Sequence, residues 1–121
     1  VSDLFGLGCY ACCEGVDPYW EDIKQLHNMR RISVSQWADA QKMSDYLGKD
    51  YVYSYKARST DVACENMSEE KIHQTMANIL DITKNKNNLE IVLKDLHTIG
   101  NKPEQVFRWV EIVREEINKR Y

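Results

Sequence analysis

Glycine and proline are scarce in this chain, five and two in 121 residues. That scarcity excludes collagen-like, low-complexity and linker-dominated architectures. No apolar run approaches the roughly 18 residues that span a bilayer, so no membrane-spanning segment is expected. Charge of one sign is not in excess either, the formal net charge being −3. A chain so balanced has no electrostatic footprint for nucleic acid or for an anionic membrane surface, and neither is expected as a partner. The G-x-G-x-x-G, P-loop, H-E-x-x-H and G-x-S-x-G signatures are all missing. Their absence removes the common dinucleotide, phosphate-loop, zinc-protease and serine-hydrolase chemistries. No charged stretch followed by an apolar one opens the chain, so a secretory leader is not expected.

With 43% hydrophobic and 29% charged residues, the composition is that of an ordinary globular domain. The four cysteines are Cys9, Cys12, Cys13 and Cys64. Three of them crowd into five residues of an apolar run that reads as a strand. Neighbours on a strand face opposite ways, so Cys12 and Cys13 are badly placed to share a bridging partner. Reduced thiols in a cytoplasm are the expectation, with Cys9 and Cys64 behaving as small buried hydrophobes.

Apolar and β-branched runs alternate with stretches of helical periodicity. The first run, Leu4 to Cys13, ends at Glu14-Gly15 and leads into Asp17-Pro18, a cap followed by a proline suited to a first helical turn. Ile23 and Leu26 would carry that helix's buried stripe. Met29 to Ser35 reads as a second strand, followed by a helix from about Gln36 to Leu47 that stops at Gly48. Tyr51 to Lys56 is rich in strand-forming residues. Ser68 caps a longer helix with Ile72, Met76, Ile79 and Leu80 on its apolar face. Leu89 to Leu96 forms the fourth run, and Pro103 opens a last helix with Val106, Trp109, Val110, Val113 and Ile117 along one side. Four consecutive βα units predict an α/β fold with parallel strands, either a small open sheet or half of a barrel.

Every strand ends in polar residues: Cys12-Cys13-Glu14, then Ser33 and Ser35, then Ser54 and Lys56, then Lys94, Asp95 and His97. In α/β folds the ligand site lies at that end. Strand alternation would put Asp95 and His97 on one face and Lys94 on the other. Arg30 and Arg31, at a strand start, fall at the opposite, stability end. His27 and His73 lie in helical stretches and read as surface residues.

At Tyr10-Ala11-Cys12-Cys13-Glu14, Met29 to Asp39, Tyr51 to Lys56, Leu93 to Thr98 and the Phe107-Arg108-Trp109-Val110 helix, the sequence resembles a known group. These are the uroporphyrinogen-decarboxylase-like proteins of anaerobic bacteria, often found beside corrinoid proteins and corrinoid-dependent methyltransferases. The motifs occur in the group's order, and together they cover nearly the whole chain. The resemblance implies a (β/α)8 TIM barrel of which residues 1–121 supply the C-terminal half, as a single domain with the N-terminal half absent. The open half would be covered by that N-terminal half or by a second copy, as a homo-oligomer. Ala11, Gly15 and Gln36 depart from the group's usual Gly, Pro and Pro.

The resemblance further implies a methyltransferase, acting between a small methylated substrate and a corrinoid (cobalamin) held by a partner protein. The alternatives are a porphyrinogen decarboxylase and a non-catalytic binding module of the same fold. Relatives that transfer methyl groups hold zinc with a His-x-Cys element and a later cysteine. Here Tyr10-Ala11-Cys12 occupies the first position, and no cysteine lies near the last strand. A substitute zinc set of mixed S, O and N donors would be Cys12 or Cys13, Glu14 and His97. Sharing a strand face with Glu14 favours Cys12 over Cys13. Glu14, His97 and Asp95 are the candidate catalytic residues. Lys56 would hold an anionic group of the substrate or of the corrinoid partner. Trp37 either lines the pocket mouth or packs under the helix that follows.

Overall fold

A computed structural model describes residues 2–121. Strands and helices alternate as β1 (Gly8–Tyr10), α1 (Trp20–Ile23), β2 (Met29–Val34), α2 (Ala40–Leu47), β3 (Val52–Arg58), α3 (Glu69–Thr83), β4 (Asn88–Lys94) and α4 (Pro103–Arg120). The fold is therefore α/β, built from βα units around a four-stranded parallel sheet in the order β1-β2-β3-β4. Register is fixed for the first three strands. Cys9 and Tyr10 pair with Arg31 and Ile32, and Arg31 to Val34 pair with Val52 to Tyr55. No helix among the described residues is long and apolar enough to cross a membrane.

The chain divides into two compact units. The first takes in residues up to Ala57 together with Asn85–Val92. Its core holds Val16, Trp20, Ile23, Ile32, Val34, Met43, Leu47, Tyr53, Tyr55 and Ala57. The α2 helix shows how the sequence builds it. The Asp39 carboxylate accepts the Lys42 N–H at 3.0 Å as an N-cap. Met43 and Leu47, one turn apart, are both buried, each contributing roughly 2 kcal/mol. Gly48, at φ +49°, ends the helix. Asn87 then seals that end: its amide donates to the Ser44 and Gly48 carbonyls at 3.0 Å, and its carbonyl accepts from the Ser44 hydroxyl.

The second unit comprises Arg58–Lys84 and Leu93–Tyr121, with α3 packed against α4. Ser68 accepts the Lys71 N–H at 3.4 Å, and Glu69 and Glu70 occupy the first turn, where the helix dipole favours carboxylates. Ile72, Met76, Ile79 and Leu80 are buried from α3, and Trp109, Ile112 and Val113 from α4. Gln105 ties the loop before α3 to α4, donating to the Val62 and Cys64 carbonyls and accepting the Met67 N–H.

Several boundaries differ from the sequence reading. The first strand covers three residues rather than ten, so Cys12 and Cys13 lie in the following loop, where strand alternation does not govern them. Asp95 and His97 likewise fall beyond β4, and Lys94 forms an ion pair with Asp95 at 3.5 Å instead of facing away. Asp17 makes no side-chain cap, because the N-cap residue is Val16. Leu26 is exposed in a turn after the four-residue α1 rather than completing its stripe. His27 is also in that turn, exposed, while His73 lies on α3. Cys9 is exposed and Cys64 half-buried, and no disulfide joins the four cysteines among the described residues.

Candidate functional site

Successive residues of a strand alternate faces, and partners in register share one. Ile32, Val34, Tyr53 and Tyr55 therefore line one face of the sheet, and all four are buried. The opposite face carries Cys9, Arg31, Ser33, Val52, Ser54 and Lys56. Glu90 of β4 reaches the same face through its bonds to Arg31 and Ser54. One side of the sheet is thus apolar, and the other carries a run of polar residues beside Cys9 and Val52.

The polar side is a continuous hydrogen-bonded chain. Lys56 Nζ donates to Ser54 Oγ at 2.9 Å, Ser54 Oγ donates to Glu90 Oε2 at 2.5 Å, and Arg31 Nε donates to the same Glu90 oxygen at 2.7 Å. Burial on its own raises the Glu90 pKa. The bonds from Ser54 and Arg31, with the charges of Arg31 and Lys56, outweigh it and hold the carboxyl below its ordinary value. Beside Ser54 in register, Ser33 is 1% exposed, and its hydroxyl has no hydrogen-bond partner among the described residues. Such a group costs free energy unless something satisfies it.

The strand-end residues named from the sequence are placed as follows. Cys12 is half-buried, and Cys13 and Glu14 are exposed, in the loop after β1. Trp37 is 72% exposed in the loop after β2, so it does not pack under α2. These two loops meet at Gly15. A Cβ there would lie 2.9 Å from the Trp37 carbonyl oxygen and 3.2 Å from the Ala38 Cα, both backbone atoms. The missing side chain is what permits the approach, and a proline at this position would force the backbone apart. Lys56 belongs to the polar face already described. Asp95 and His97 are exposed, Asp95 at φ +54°. No three His, Cys, Asp or Glu side chains gather as a metal-holding group among the described residues.

Sequence reading missed Arg31 and Glu90 as site residues and placed Arg31 at the stability end. The signal was present in the alternation of Arg31, Ser33 and Ser35 and of Ser54 and Lys56, polar at every second position of two strands. Comparison with known proteins adds no family: no protein-family model, curated protein or solved structure matches the chain.

Proposed function

We propose that this chain is the C-terminal half of a (β/α)8 barrel of the uroporphyrinogen-decarboxylase-like kind. The complete barrel would move a methyl group between a small methylated compound and a corrinoid carried by a partner protein in the cytoplasm. The observation that supports the architecture is the strand order β1-β2-β3-β4, which runs without reversal. Barrels are wound that way, whereas doubly wound sheets reverse at their binding crevice. The residues of the outer strand β4 are at most half-buried, while Ile32 to Val34 and Tyr53 to Tyr55 of the inner strands are fully buried. That gradient suits a sheet whose edge is continued by an N-terminal half or by a second copy.

The activity rests on the resemblance of the strand-end motifs. In this reading Cys12 or Cys13 supplies a thiolate, Glu14 and His97 move protons, Asp95 orients His97, and Lys56 and Trp37 contact substrate or corrinoid. Zinc is proposed at the same level, with Cys12, Cys13, Glu14 and His97 as the donors the chain can offer. The test uses the full-length gene product, purified under reducing conditions. Stoichiometric zinc that is lost in Cys12→Ser and His97→Ala, together with methyl-donor-dependent loss of cob(I)alamin absorbance, is the expected result. A metal-free protein that leaves cob(I)alamin unchanged overturns methyl transfer and turns attention to metal-free decarboxylation.

A further inference from the structure

We propose that the polar face of the sheet is a binding site for a small carboxylate, held between the spare N–H groups of Arg31 and the ammonium of Lys56. The site rests on the geometry of this face alone, and shares only Lys56 with the substrate-contacting residues proposed above.

Charge comes first. Arg31 and Lys56 bring two positive charges to the cluster and Glu90 brings one negative charge, kept ionised by its hydrogen bonds. The cluster is left one positive charge in excess. A monoanion neutralises it, whereas a phosphate dianion would overshoot in a half-sheltered setting.

Donor capacity points the same way. Arg31 spends only its Nε on Glu90, and Lys56 spends one of its three N–H groups on Ser54. No other partner of either cation is seen among the described residues. Three hydrogen bonds in series, through Ser54 and Glu90, link the two cations on this face. A planar carboxylate matches the fork of a guanidinium.

The third observation is the Ser33 hydroxyl, 1% exposed and unpartnered, on the same face and in register with Ser54. Its hydroxyl is a donor that this face leaves unspent. The Arg31 and Glu90 side chains are each 39% exposed, so these ends of the cluster can be reached, while Ser33 and Ser54 are buried.

Acetate is the probe, titrated into the full-length protein at constant ionic strength and followed by NMR chemical shifts, with acetamide as the neutral control. Saturable binding of acetate but not acetamide is expected. Lys56→Met should weaken it about tenfold, the value of one charge-assisted hydrogen bond. Glu90→Gln keeps the shape of the cluster while removing the competing carboxylate, and should tighten acetate about fivefold. A purely structural network would give no tightening. The proposal is overturned if acetate fails to saturate, if phosphate binds more tightly than acetate, or if Glu90→Gln leaves the affinity unchanged. Should Lys56→Met fail to fold, Glu90→Gln alone decides.

Discussion

Glu116 and Glu90 are both carboxylates set among cations, one on α4 and one on the sheet, and their surroundings differ in kind. The Glu116 side chain is 5% exposed and accepts from His73 Nδ1 at 2.7 Å, Lys119 Nζ at 3.0 Å and Arg120 Nη1 at 2.6 Å. Arg120 in turn binds Asp81 at 2.6 Å. Donors outnumber the oxygens they serve, and the carboxylate is enclosed. The hydrogen bond from His73 leads the causes, and those from Lys119 and Arg120 add to it against the cost of burial, so the Glu116 pKa is pushed down to about 2. On the sheet, Glu90 is 39% exposed and its two cations keep unused donors. A closed network fastens α3 to α4. An open one leaves capacity for a visitor.

The largest effect is expected where the network is closed. Glu116→Ala leaves His73, Lys119 and Arg120 without the carboxylate they share and should cost about 3 kcal/mol in urea unfolding, the upper scale for hydrogen bonds to a charged group. The sign of its pH dependence follows from the depressed pKa. Its stabilisation is complete above the unfolded carboxylate value of about 4.3, and it is lost as the pH falls from there through about 2. Thermal melts between neutral and acid pH should therefore converge for the parent and for Glu116→Gln. Parallel melts would mean the network does not fasten the helices.

Gln105→Ala comes next. It strips the Val62 and Cys64 carbonyls and the Met67 N–H of their partner, and should cost about 2 kcal/mol. Faster amide exchange at Met67 would locate that loss in the loop before α3. Trp37→Ala should change stability by no more than about 0.5 kcal/mol, because the side chain is 72% exposed. A larger loss would show that Trp37 is buried by something in solution, and would sharpen its assignment to a pocket mouth.

The sequence showed the helices better than the site. Ser68, Gly48 and Pro103 mark their helix ends by local chemistry that needs no tertiary information, and all three stand where that chemistry predicts. The polar face was half legible, since the alternation in β2 and β3 is local. The Arg31–Glu90 pair was not, because 59 residues separate the partners and only strand register joins them. Glu116 was missed for a related reason. An acidic residue near a helix end reads as solvated until the facing helix brings a histidine. Cys12 and Cys13 were read as strand residues because an apolar run carries no marker of where hydrogen bonding stops.

The contrast between open and closed networks can be measured in one pair of near-isosteric variants of the full-length protein, Glu90→Gln and Glu116→Gln, each titrated with acetate and unfolded in urea. The account predicts tighter acetate binding with little change in stability for Glu90→Gln, and lower stability with unchanged acetate affinity for Glu116→Gln. The same response from both, or a loss of stability from Glu90→Gln without tighter binding, would contradict it.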